Sequence, residues 1–331
     1  VNNLKEKVLK VIDSNILYFI GAYLFVAFSL FIGDKSFSYS VVIIQLLVIL
    51  LPPIIYIKIK GLNLKKTLRL NKIRVKHGFL IIAITLLIYP LAVVGNAIMM
   101  LLLSLLGNLN IPELPSANNT SEYLFLMILM AVTPGICEEV FFRGFVLSGY
   151  ERLGQKKAII FSSVLFGIFH FNLYNLMGPI VIGVVFAYLV TITDSIFAGI
   201  IGHIANNGFA VTLNFLLNKL MKIMEDIDLE GVAPATEEVS TTIAMLSSVV
   251  VFAIIATVTV FIAILLIKII KKDMAAVKNK ELESDITIIE DEDPEIIDKQ
   301  PRAIEYFPLL LVTPILIYII YFQISEIISL G

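Results

Sequence analysis

The chain has 331 residues, 58% of them hydrophobic and only 16% charged, with a mean hydropathy of +0.93. That is too apolar for a water-soluble globular domain and places the chain among polytopic membrane proteins. A net charge of −2 supplies no field toward nucleic acid, so no nucleic-acid partner is expected, and the single cysteine, Cys137, excludes an intramolecular disulfide framework.

In chain order, the first apolar run follows Lys5, Lys7 and Lys10 without a small-residue cleavage site, and it reads as a retained signal anchor. Windows long enough to cross ~30 Å of hydrocarbon fall at 16–33, 39–57, 78–106, 122–152, 158–173, 176–193, 195–217, 241–267 and 306–329. They predict an all-α polytopic bundle of about eight to nine transmembrane helices, several of them short or polar. Between the second and third windows, residues 58–76 carry eight Lys or Arg and no acid. The positive-inside rule puts that loop in the cytoplasm, with Arg152, Lys156, Lys157, Lys268, Lys271 and Lys272 on the same side. The acidic loop 225–238 then lies outside. Leu62, Leu64, Leu68 and Leu70 interleave the basic residues. Two readings of the loop stand open: an interfacial amphipathic helix on anionic lipid, or a solvated loop that only sets topology.

From Glu281 to Asp298 there are nine acids and no base, the composition of a disordered linker. The chain thus divides into a multi-span core over 1–270, an acidic cytoplasmic linker over 271–305 and an extra C-terminal transmembrane helix over 306–331.

Charged side chains inside the fourth window are the first sign of chemistry. Each costs about 2.5–3.5 kcal/mol at a helix centre in lipid, yet Glu138, Glu139 and Arg143 occur together in CEEVFFRG, residues 137–144. On an α-helix Glu139 and Arg143 share a face, whereas Glu138 points about 100° away. Glu139 therefore pairs with Arg143 and Glu138 is left to face something else. Cys137 reads as a packing residue rather than a nucleophile. Only three histidines occur: His77 at the edge of the basic loop, read as merely interfacial, and His170 and His203 inside apolar windows. His203 and Asn207 are four apart on one face, and Asn206 points elsewhere as a packing or hydrogen-bonding residue. Counted from the turn between the fourth and fifth windows, Glu138 and His170 both lie ~20 Å deep. His203 enters from the same side. These groups converge on a polar cavity within the bilayer.

EEVFFR (Glu138, Glu139, Arg143), FGIFH (Phe166 to His170) and HIANN (His203 to Asn207) resemble the E-E-x-x-x-R, F-x-x-x-H and H-x-x-x-N motifs of the CAAX protease and bacteriocin-processing family. That family, often called the Abi family, includes the type II CAAX prenyl endopeptidases. The motifs lie within 122–217. The resemblance implies an intramembrane glutamate protease in which Glu138 activates water, His170 helps hold it, and His203 and Asn207 stabilise the oxyanion. It makes Glu139 and Arg143 a supporting pair and calls for no cofactor and no metal. It further implies a prenylated protein or peptide C-terminus as substrate, with membrane lipid as surroundings. The location would be the cell membrane of a prokaryote or the endoplasmic reticulum of a eukaryote, with the site open to the cytoplasmic side. Because the pattern ends near residue 217, activity should survive truncation after about Lys272. Two alternatives stand beside this reading. Glu138, His170, His203 and Asn207 could be a zinc ligand set, although H-E-x-x-H is missing. The chain could instead be a non-catalytic scaffold, transporter or bacteriocin-immunity protein.

Overall fold

The computed structural model describes residues 7–33, 37–111, 115–226, 241–284 and 301–330, and these residues form an all-α bundle with no strand among them. Seven helices are long and apolar enough to cross a membrane: α1 (Val11–Ile32), α2 (Phe37–Ile59), α3 (Val75–Ser104), α4 (Thr120–Leu153), α7 (Ile196–Asp226), α8 (Thr241–Ser284) and α9 (Ala303–Ser329). The chain is an integral multi-pass membrane protein. Two shorter helices, α5 (Gln155–Ile168) and α6 (Met177–Thr193), have 14 and 17 residues. At 1.5 Å per residue they reach only ~21 and ~26 Å. The fifth window thus stops short of its expected end at 173. Non-helical backbone follows from Phe169 to Leu176, and its peptide groups need partners from protein or water.

Two of the long helices are not α-helical throughout. π-helical turns occupy Ile44–Leu50 in α2, and Ile128–Val132 and Val140–Val146 in α4. Two of these turns run into prolines, Pro52 and Pro53 in α2 and Pro134 in α4. A proline has no N–H for the carbonyl four residues before it and its ring presses on that carbonyl, so the helix must widen or bend there.

The basic loop after α2 is folded. Its only helix is a single turn, Leu64–Thr67, capped by the Asn63 side chain, which is too short for an interfacial amphipathic helix. Leu68 is buried in the core, while Arg69 pairs with Glu151 at the end of α4 and with Asp194 after α6. Asn71 also holds Asp194. Two inter-helix turns are thereby tied to one side of the bundle.

α8 lies along α3 and runs through 271–284, so the first part of the expected linker is helical. Most of the acidic run, 285–300, falls outside the described residues, as does most of the acidic loop 225–238. His77 is not merely interfacial: it is 1% exposed and 3.4 Å from Asp273 of α8, which Lys76 also contacts. The last helix returns to the first. Asn15 of α1 donates to the Glu305 carbonyl at 2.8 Å and accepts from Tyr150 of α4, and Tyr23 donates to the Leu311 carbonyl.

Candidate active site

α4, α5 and α7 bring the singled-out residues to one place. Glu139 and Arg143 are both fully buried, with Arg143 Nη1 2.9 Å from Glu139 Oε1. Arg143 also reaches the Gly183 carbonyl of α6 and lies over the Phe166 ring, 4.3 Å from its centroid. Breaking such a buried pair strands the other charge, at a cost of about 3–5 kcal/mol. The same Oε1 accepts from His203 Nδ1 at 2.8 Å. A carboxylate can only accept, so that bond places a proton on Nδ1 and turns Nε2 the other way. Nε2 lies 3.9 Å from Glu138 Oε2. Glu139 is therefore an orienting group for His203 as well as a partner for Arg143, a double role that spacing alone does not show.

Glu138 keeps 16% of its side chain exposed, and its Oε1 accepts from Gln45 Nε2 of α2 at 2.7 Å. Sequence reasoning does not single out Gln45. The available signal is a lone amide in an otherwise apolar window, and the π turn that begins at Ile44 is the local structure that carries it. Such turns recur at functional sites. Across the cavity, His170 sits where α5 unwinds. Its Nδ1 is 2.9 Å from the Phe166 carbonyl, one of the carbonyls that a helix C-terminus leaves without a backbone donor. That carbonyl can only accept, so Nδ1 carries the proton and Nε2 is the acceptor. The Phe166 ring touches His170, His203 and the Arg143 guanidinium together.

Glu138 and His170 line a cavity of about 140 Å³ with Gln45, Ile44, Ile49, Phe25, Phe142, Phe166 and Phe169. That exceeds the roughly 30 Å³ share of one water and falls short of the roughly 300–1,000 Å³ typical of ligand pockets. It is a polar-floored, aromatic-walled chamber on the scale of a few waters. Among the described residues, no group of three or more His, Cys, Asp or Glu is arranged to hold a metal ion.

Asn207 and His203 are not part of that lining. Asn207 Nδ2 donates to the Met130 carbonyl at 3.0 Å, and its Oδ1 accepts from Asn206. Met130 is four residues before Pro134, so its carbonyl lacks the α-helical donor that any other residue at 134 would offer. Close approach of α7 to α4 rests on two glycines. A Cβ at Gly135 would come within 2.6 Å of Ile204, and one at Gly199 would collide with the Glu139 carboxylate.

Residues 120–209 match the family profile described as type II CAAX prenyl endopeptidase Rce1-like. A protein of Bacillus subtilis (strain 168), provisionally named membrane peptidase YdiL, is 33% identical over 89 residues. That alignment spans 27% of this chain and 36% of the relative's length. No solved structure matches the chain. Glu138, Glu139, Arg143, His170, His203 and Asn207 all fall inside the matched segment, whereas Gln45 and the last two helices fall outside it. The chain thus carries, from α4 to α7, the pattern of the type II CAAX prenyl endopeptidase Rce1-like family.

Proposed function

We propose that this chain is an intramembrane endopeptidase that hydrolyses a peptide bond with water activated by Glu138, and that it acts on the C-terminal tail of a prenylated protein. The observation that carries the reading is the placement of Glu138. It is the one carboxylate of the pair that opens into a cavity, with Gln45 on one oxygen and His203 near the other. In the proposed reaction, water in the chamber donates a hydrogen bond to His170 Nε2 and gives its proton to Glu138 as its oxygen bonds to the scissile carbonyl carbon. His203 acts as the imidazolium, with Nδ1–H on the Glu139 carboxylate and Nε2–H toward the oxyanion of the tetrahedral intermediate. Asn207 supplies the amide N–H that Met130 does not take. Collapse of the intermediate breaks the C–N bond, and the proton held on Glu138 passes to the leaving amine.

The membrane setting supports a lipidated substrate, because an isoprenoid can stay in the hydrocarbon while its peptide reaches Glu138. We take the site to open toward the face that carries the basic loop and the tied turns, which the positive-inside rule makes cytoplasmic. The test is mass spectrometry of a Cys-a-a-X peptide pair, farnesylated and bare, incubated with purified chain in nanodiscs. Release of the three terminal residues from the farnesylated peptide alone is the expected result. Equal cleavage of both peptides would keep the peptidase and remove the lipid specificity; cleavage of neither would remove the activity.

A further inference from the structure

His170 stands at the lip of an irregular loop, and the loop is held by a residue far away in sequence. After α5 the chain turns in short steps: the His170 N–H bonds the Gly167 carbonyl and the Phe171 N–H bonds the Ile168 carbonyl. Phe171 then adopts φ +50°, a left-handed conformation that costs a non-glycine residue and persists only where neighbours enforce it. This backbone lies ~20 Å from the turn after α4, and peptide groups left unpaired away from water are expensive. The side chain of Gln323, on α9, satisfies two of them. Its Nε2 donates to the Phe171 carbonyl at 2.8 Å, and its Oε1 accepts from the Leu173 N–H at 2.9 Å. A neutral primary amide donates from its nitrogen and accepts at its oxygen, so one side chain can serve both groups at once. Phe25 and Phe169 pack on the Phe171 ring, at 5.2 and 5.5 Å between centroids, and both also line the Glu138 chamber.

We infer that Gln323 is a positioning residue for His170: its two-point clamp on Phe171 and Leu173 fixes where α5 ends and hence where the imidazole meets the chamber. The last helix is thereby a working part of the site, although it lies outside the matched segment. Other ties place α9 against the same end of the bundle, with Asn110 donating to Glu326 at 2.7 Å and Asn108 to the Leu330 carbonyl at 2.7 Å. The catalytic consequence rests on the hydrolase reading above; the structural one does not.

Histidine-selective 15N labelling of the full chain separates the two, since only His77, His170 and His203 give signals. Gln323→Met, close in length but unable to donate, should shift or broaden the His170 ring resonances and leave those of His77 and His203 in place. With farnesylated peptide, kcat should fall about 10- to 100-fold, the scale of a small misplacement of a catalytic group, with KM near that of the wild type. Tyr321→Leu, a lipid-facing change on the same helix where Tyr321 is 70% exposed, should do neither. If Gln323→Met yields too little folded protein, Gln323→Leu serves for the same reading. His170 resonances that superimpose on wild type would overturn the positioning claim, as would an equal shift in Tyr321→Leu. A wild-type chain that cleaves no peptide would remove the hydrolase reading, and the resonances would still decide the clamp.

Discussion

At the scale of single residues, the two adjacent glutamates have unequal surroundings. Glu139 is enclosed, with Arg143 and His203 on one oxygen, while Glu138 meets the chamber. Glu139→Gln removes the charge that balances Arg143 and the acceptor that orients His203. It should destabilise the protein by about 3–5 kcal/mol and lower turnover as well, read as a drop in melting temperature in detergent alongside the rate. Gly199→Ala should act in the same direction, because its methyl group would press on the Glu139 carboxylate. Gln45→Leu is a milder case. One hydrogen bond to a carboxylate is lost, worth about 1.5–3 kcal/mol, and the rate should fall while the fold is kept. The helix-face argument puts Glu139 with Arg143 from sequence alone. It does not find Gln45 or the Glu139–His203 bond, because contacts between helices have no spacing rule.

At the scale of elements, the π turns and the prolines do most to shape the site, and they are the least legible feature. The sequence argument takes a period of 3.6 throughout α4, whereas residues 140–146 are wider. Pro134 can be seen in the sequence, but its consequence, a Met130 carbonyl that Asn207 serves, emerges only in the structure. That bond makes Asn207 partly a structural residue, and a double-mutant cycle separates its two roles. Asn207→Ala should lose about 0.5–1.5 kcal/mol of stability by removing the side-chain donor from the part-buried Met130 carbonyl. Pro134→Ala offers Met130 a backbone N–H and should restore much of that loss in the double variant. Turnover should stay low in the double variant if the second Asn207 N–H serves the oxyanion, and should recover with stability if it does not. Counting along the chain finds the helices well, since long apolar runs are a strong signal. The early end of α5 is hidden because Phe169, Phe171 and Leu173 carry the apolar run past Ile168.

For the whole molecule, the bundle is closed by segments that the motif pattern does not include. On that pattern truncation after Lys272 should be harmless, but it removes the Asn15–Glu305, Tyr23–Leu311 and Gln323 contacts. The expected outcome is a chain that melts lower and turns over substrate poorly. Sidedness is open to a direct check because the only cysteine, Cys137, is 2% exposed and gives a quiet background. Lys65→Cys in the basic loop should resist an impermeant maleimide added to whole cells, and Asn118→Cys at the other end should react. The reverse pattern would invert the orientation. Charge asymmetry supplies a sequence expectation for this orientation, whereas the docking of α9 against α1 and the His170 loop rests on side-chain amides that carry no such regularity.

The central claim is that Glu138 alone supplies the base. Its most direct test is single-turnover cleavage of farnesylated peptide by Glu138→Gln in nanodiscs, with thermal unfolding measured on the same preparation. Unfolding like that of the wild type with no product is the predicted result, because the amide keeps the shape of the side chain but cannot take a proton from water. Product formation near the wild-type rate by folded Glu138→Gln protein would contradict the account.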